Sequence, residues 1–267
     1  MINVTVAGAT GRTGSRIAAL CIDHPEINLV GALERKGHEK IGQDIGVIIG
    51  TGEANIPLGD KVEDMIDDTD VVIDFTSVNA TIHNLRVASE KGKAMVIGTT
   101  GFSKEDMQEV RALARNIPCV MAPNMSVGVN LLFKVLKDVA VVLGDDYDIE
   151  IIEAHHRMKQ DAPSGTALKL AQVVAEALGR NLDEVAIYAR KGFIGERGRK
   201  EIGIQTIRAG DIVGEHTVMF AGTGERIEIT HKASSRDTFA AGAVRAALWV
   251  YGRNPGLYDM LDVLGLK

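Results

Sequence analysis

The first turn of the chain restricts the fold more than any other stretch. Residues 3–7 (Asn-Val-Thr-Val-Ala) alternate toward a buried strand and run directly into Gly8-Ala9-Thr10-Gly11-Arg12-Thr13-Gly14, and an amphipathic segment follows from Arg12 to Ile22. A strand that turns on glycines into a helix opens a βαβ unit, whose crossover demands a parallel neighbour. Glycines let the backbone approach a pyrophosphate, and the positive end of the helix then holds it. The spacing is G-x-x-G-x-x-G rather than the commoner G-x-G-x-x-G, so the turn alone is a weak signal. Its context strengthens it. A second strand, Ile27 to Leu33, ends at Glu34, twenty residues beyond Gly14, where a carboxylate can bond an adenosine ribose. Arg35 comes next and offers a guanidinium to a ribose phosphate, so NADH, NADPH or both suit the site. The competing reading is a doubly wound domain with tight turns and no dinucleotide.

The following residues extend the same pattern. Strands at Asp70 to Phe75, Ala94 to Ile97 and Pro118 to Met121 alternate with helices at Ala80 to Glu90 and from Ser103, capped with Asp106, to Asn116. Strands this apolar, separated by helices, predict a parallel sheet buried on both faces, a Rossmann-type α/β fold. Ligands in such sheets bind at the carboxyl edge. Phe75-Thr76-Ser77 stands at that edge, and Gly98-Thr99-Thr100-Gly101 and Ala122-Pro123-Asn124-Met125 are placed there toward a nicotinamide, although turn chemistry alone also accounts for each loop. Between Gly37 and Asp60 only a short strand at Ile56 to Leu58 is expected, and function is not readable there.

Ser126 begins a change of style. A helix from Val129 to Leu143 leads to an apolar strand, Asp148 to Ala154, that closes on His155 and His156, with Lys159 close behind. Pro163-Ser164-Gly165-Thr166 then starts a helix running from Ala167 to Leu178 and stopping at Gly179. Unpaired N–H groups at such a helix start hold an anion well, and Lys159 adds a fixed cation. Histidine transfers protons near neutral pH, so the cluster suits a small carboxylated substrate that must be protonated. A surface loop and a metal site are the competing readings; a lysine amid the histidines argues against a metal, and none is expected. Ala186 to Arg190, Gly203 to Arg208, Ile212 to Phe220 and Arg226 to Lys232 predict a mostly antiparallel sheet. Arg190, Lys191, Arg197, Arg199 and Lys200 cluster in its loop, either as a solvated surface or as a lid over an anion. The apolar helix Asp237 to Tyr251 is expected to return to the first domain. The division is thus 1–126, completed by 237–267, for the dinucleotide, and 127–236 for the substrate.

Composition excludes several partners. The 267 residues carry a net charge of −6 with a pI near 5.7, which disfavours nucleic acid and anionic membranes, since both select basic surfaces. Cys21 and Cys119 sit among apolar neighbours and form no disulfide framework, and Ile2 already begins a strand, so a reducing cytoplasm without a signal peptide is expected.

Taken together, Gly8 to Gly14, Glu34-Arg35, Gly98 to Phe102, Asn124 to Asn130, Glu153 to Ala167, Arg208 to His216 and His231 to Arg236 resemble the 4-hydroxy-tetrahydrodipicolinate reductases, also called dihydrodipicolinate reductases. The resemblance runs from the first strand to the last helix, and E-A-H-H-x-x-K-x-D-A-P-S-G-T is its most specific stretch. It implies reduction of a cyclic dicarboxylated imine, or of its hydroxylated precursor, by NADH or NADPH in the diaminopimelate route to lysine. His155 would donate the proton and Lys159 would orient the substrate and stabilise charge. His156, Ser164, Gly165 and Thr166 would hold carboxylates. The cofactor would meet Gly8, Ala9, Thr10, Gly11, Arg12 and Thr13 in the first turn, Glu34 and Arg35 after the second strand, and Gly98, Thr99, Thr100, Ala122, Pro123, Asn124 and Met125 along the sheet edge. The resemblance further implies an α+β second domain that binds substrate and assembles a homotetramer through its sheet. An aspartate-semialdehyde dehydrogenase and a nucleotide-sensing protein without chemistry are the rival functions.

Overall fold

The computed structural model describes Met1 to Lys267 and divides into two units, Met1–Val127 with Arg236–Lys267, and Gly128–Ser235. The first unit is built on a parallel sheet. Its strands are β1 (Ile2–Ala7), β2 (Ile27–Leu33), β3 (Leu58–Gly59), β4 (Val71–Asp74), β5 (Ala94–Ile97) and β6 (Pro118–Met121), joined by a seventh, Gly256–Tyr258. From one edge the order is Gly256–Tyr258, β6, β5, β4, β1, β2, β3. The chain therefore winds outward in both directions from β1, and the reversal between β1 and β4 opens a crevice at their carboxyl ends.

Alternation along each strand feeds two cores. Ile73 and Val96 join Val4, Val6 and Ile17 on one face, while Val72, Met95 and Ile97 join Leu85 and Val110 on the other. Val71, Val72 and Ile73 are wholly buried, each contributing roughly 1.5–3 kcal/mol of burial. Helices α1 (Gly14–Asp23), α2 (Ile45–Ile49), α3 (Val78–Glu90) and α4 (Lys104–Leu113) connect the strands. The Ser103 Oγ accepts the Asp106 N–H at 3.0 Å, and Asp106 accepts the Ser103 N–H at 2.8 Å, the reciprocal cap expected for α4. The helix Asp237–Val250 packs into this unit through Ala240, Ala243 and Ala247. A Cβ on Gly242 would lie 1.8 Å from the Met125 carbonyl oxygen, so the backbone approaches there as closely as only glycine allows.

The second unit takes in most of α5 (Val127–Leu143), then β7 (Asp148–His155), α6 (Gly165–Ala177), α7 (Leu182–Val185), β8 (Ala186–Ile187), β9 (Ile202–Arg208), β10 (Gly214–Ala221) and β11 (Arg226–Ala233). Its sheet runs β11-β10-β7-β9-β8. Leu132 and Leu136 of α5 and Leu170 and Val174 of α6 pack with Ile149, Ile151, Ile204 and Val218 of the sheet. The expected antiparallel character holds only on one side: β10 is antiparallel to β7 and β11, whereas β9 is parallel to both β7 and β8. The cause is α6, which turns the end of β7 into a crossover, so the returning strands run in the same direction as β7.

Candidate functional site

The glycine turn of the first unit has the backbone a pyrophosphate cradle needs. Gly8 has φ +77°, and a Cβ there would lie 2.4 Å from the Phe75 carbonyl oxygen; one on Gly14 would lie 2.0 Å from the Gly8 oxygen. Neither position admits a side chain, so α1 starts close to the ends of β1 and β4. Glu34 closes the turn, accepting hydrogen bonds from the Thr10 hydroxyl at 2.7 Å, the Thr10 N–H at 3.2 Å and the Arg35 N–H at 3.0 Å. Burial pushes the Glu34 carboxyl up, but these bonds prevail and hold it below the usual range. A cavity of about 930 Å³ lies against this turn, lined by Gly8, Gly11, Glu34 and Arg35 together with Lys61, Thr76 and His83. Its size suits a cofactor.

The remaining expected cofactor contacts divide by exposure. Arg12 and Thr100 are exposed, but Ala9, Thr99, Ala122 and Met125 are buried, so any contact they make falls to their backbone. Gly98, Thr99, Thr100, Ala122, Pro123, Asn124 and Met125 do not line the cavity and lie beyond it at the ends of β5 and β6. Thr99 has a structural task. Its hydroxyl accepts the Thr76 N–H at 3.0 Å and lies 3.1 Å from the buried Asp74, whose carboxylate also accepts from Thr76, Thr81 and Asn84. Asp74 thereby ties together two of the loops along the sheet edge.

In the second unit, strand register builds the chemical cluster. Ile149, Ile151, Glu153 and His155 fall on one face of β7 and are all buried. Parallel pairing sets Arg208 of β9 opposite His155, and antiparallel pairing sets His216 of β10 opposite Glu153. Glu153 Oε2 lies 2.5 Å from His155 Nδ1, and Arg208 grips both carboxylate oxygens at 2.8 Å. Burial raises the Glu153 carboxyl, yet Arg208, His155 and the Ser164 N–H together hold it at about 2. Burial pushes His155 down, Glu153 opposes that, and Lys159 and Arg208 reinforce it, leaving the imidazole below its ordinary value. The His216 ring meets His155 edge-on at 5.2 Å and is driven to about 4, first by burial and then by the neighbouring His155.

The helix start lies against this group. The Ser164 N–H donates to Glu153 Oε1 at 2.9 Å, and the Ser164 Oγ caps α6 by accepting the Ala167 N–H at 3.1 Å. Gly165 is exposed and Thr166 half-buried at the first turn, and His156 is half-buried in the loop that carries Lys159. Lys159 Nζ is paired with Asp161. The structure thus brings His155 and Ser164 together through Glu153. A buried imidazole bonded to a carboxylate can exchange a proton at its other nitrogen, and the helix mouth can receive an anion.

Two family models span nearly the whole chain: "Dihydrodipicolinate reductase, N-terminus" matches residues 2–125 and "Dihydrodipicolinate reductase, C-terminus" matches residues 128–264. The chain belongs to the dihydrodipicolinate reductase family. Proteins named 4-hydroxy-tetrahydrodipicolinate reductase are 59% identical in Syntrophobacter fumaroxidans and 57% in Syntrophus aciditrophicus, each over 267 residues and all of both chains. Among solved structures, the dipicolinate-bound dihydrodipicolinate reductase from Paenisporosarcina sp. TG-14 superposes with a TM-score of 0.76 at 26% identity, covering 98% of each chain.

Three residues of this dihydrodipicolinate reductase family member lie in the cluster without having been singled out from the sequence. Glu153, Arg208 and His216 stand in the sequence only inside stretches that carry the resemblance. The signal was present for Glu153, because the alternation that buries Ile149 and Ile151 puts Glu153 on the inward face. The basic cluster of the second unit is neither a solvated loop nor a lid at its two best-anchored members. Arg190 bonds Glu150 and Glu201, and Arg197 bonds Asp148, Glu150 and the carbonyls of Ile149 and Glu201. These guanidiniums pin the loop to β7.

Proposed function

We propose that the chain reduces 4-hydroxy-tetrahydrodipicolinate to tetrahydrodipicolinate, in the diaminopimelate route to lysine, with His155 as proton donor. The observation that carries the assignment of roles is the buried Glu153–His155 pair, set against the capped start of α6. NADH or NADPH, when bound, supplies the hydride. Gly8 to Thr13 would cradle its pyrophosphate, Glu34 and Arg35 would meet the adenosine ribose, and Gly98 to Thr100 with Ala122 to Met125 would face the nicotinamide end. The close backbone at Gly8 and Gly14 and the adjoining cavity support that assignment. The substrate is a small dicarboxylate, as is the dipicolinate bound by the Paenisporosarcina protein. Lys159, His156 and the Ser164-Gly165-Thr166 helix start would hold its carboxylates. The substrate loses water and accepts hydride at the conjugated carbon, and the resulting enamine takes its proton from His155. Positioning and charge stabilisation are the protein's share of the rate.

The first unit is the dinucleotide half and the second the substrate half. We further place the assembly as a homotetramer formed through the second-unit sheet, a reading supported by the exposed Ile207 and Ile227 on β9 and β11. No helix is long and apolar enough to cross a membrane, and a cytoplasmic location accords with the two unpaired, buried cysteines. The direct test is nucleotide oxidation with freshly generated cyclic substrate, run beside aspartate semialdehyde alone. Turnover with the cyclic substrate only is expected; turnover with the free aldehyde only would overturn the assignment.

A further inference from the structure

The cluster around His155 contains more than a proton donor. Glu153 is fully buried and receives four hydrogen bonds from three groups besides the imidazole: Arg208 Nη1 on Oε2 and Nη2 on Oε1 at 2.8 Å, the Ser164 N–H at 2.9 Å and the Thr206 hydroxyl at 3.3 Å. A carboxylate so surrounded by donors is locked in rotation and remains ionised. It can therefore only accept from His155 Nδ1, which must carry a hydrogen in both the neutral and the charged imidazole. Only Nε2 is left to gain and lose a proton. Gly214 stands over that nitrogen; a Cβ there would lie 3.1 Å from Nε2, so glycine keeps the exchanging atom clear. The imidazole side chain is 11% exposed, enough for one edge to meet a substrate or solvent.

We infer that Glu153, clamped by Arg208, is a positioning residue that fixes the proton of neutral His155 on Nδ1 and makes Nε2 the atom that protonates the substrate. This rests on His155 being the proton donor. In the transfer the Nε2–H bond of the imidazolium breaks and its proton bonds to the enamine carbon. The electron pair stays on Nε2, Nδ1–H remains bonded to Glu153, and solvent later returns a proton to Nε2. Charged and titratable groups face His155 from every side. Glu153 lies on its own strand, Arg208 on β9, His216 on β10 and Lys159 in the following loop. Glu153 alone favours the imidazolium; Lys159, Arg208 and burial oppose it. Arg208 also donates to the Asp161 carbonyl at 2.7 Å, so the same guanidinium secures the loop that presents Lys159.

The test compares pH profiles. In Glu153→Gln the alkaline fall of kcat should move to lower pH by about one unit or more, because the imidazolium loses its counter-charge. The nucleotide KM should stay within about twofold, since Glu153 belongs to the second unit and the proposed cofactor-holding groups belong to the first, and Glu153→Asp should restore part of the shift. Adding Glu153→Gln to His155→Gln should cost no further turnover, because both act through one imidazole. A lowered kcat with an unmoved alkaline limb would mean a structural role and overturn the inference. Nitrogen-15 histidine spectra of the unaltered protein keep the test open if the variants do not fold. They should show neutral His155 with hydrogen on Nδ1, and hydrogen on Nε2 would refute the inference. Unchanged turnover in His155→Gln by itself would remove the proton-donor reading, a failure separable from an unmoved limb in Glu153→Gln.

Discussion

Lys159 Nζ lies 2.7 and 2.9 Å from the two carboxylate oxygens of Asp161. The ammonium assigned to a substrate carboxylate is therefore already held by a carboxylate of the chain, and one that is mostly exposed. A substrate must share or displace that partner. Exposed pairs of this kind are worth about 0.2–1 kcal/mol.

Asp161→Asn should accordingly lower the substrate KM by roughly 1.4- to fivefold with little change in kcat, the ratio that such a pair energy implies. Steady-state kinetics with the cyclic substrate measure it. A raised KM would show instead that Asp161 holds Lys159 in its working position.

Stability should depend on pH through His216. Its folded value of about 4 lies below the ordinary 6.5, so between these values the unfolded chain binds more protons than the folded one. Stability is then full above about 6.5 and falls as pH drops toward 4, by roughly 2 kcal/mol at pH 5. Urea unfolding at pH 7 and pH 5 should show this loss in the unaltered protein and a clearly smaller one in His216→Gln. Equal losses in both would assign the acid sensitivity elsewhere, and Glu153, held at about 2, contributes only on further acidification below its ordinary 4.5.

Gly8→Ala should weaken nucleotide binding by about tenfold or more, because the new Cβ would meet the Phe75 oxygen at 2.4 Å and the backbone has φ +77°. Fluorescence titration with NADH and NADPH measures the loss. Unimpaired affinity would mean that the turn does not carry the pyrophosphate.

Most of the first unit is readable because its strands are short apolar runs separated by helices with their own period, one of them opened by the reciprocal cap of Ser103 and Asp106. The strand Gly256–Tyr258 was not, since three residues hold no period; it exists because β6 offers an edge, and Tyr258 stacks edge-on against Trp249 at 5.1 Å. In the second unit the strands were visible but their directions were not, because direction follows from how α6 returns the chain. The site shows the same division. His155, Lys159 and Ser164 are adjacent in sequence and were found together. Arg208 and His216 reach them only through strand register, which no local pattern encodes.

The central claim is that the imidazole of His155 delivers the proton. Turnover of freshly generated cyclic substrate by His155→Gln, with saturating nucleotide, tests it most directly. A fall of about a hundredfold or more with unchanged nucleotide affinity is predicted; turnover equal to that of the unaltered protein would contradict it.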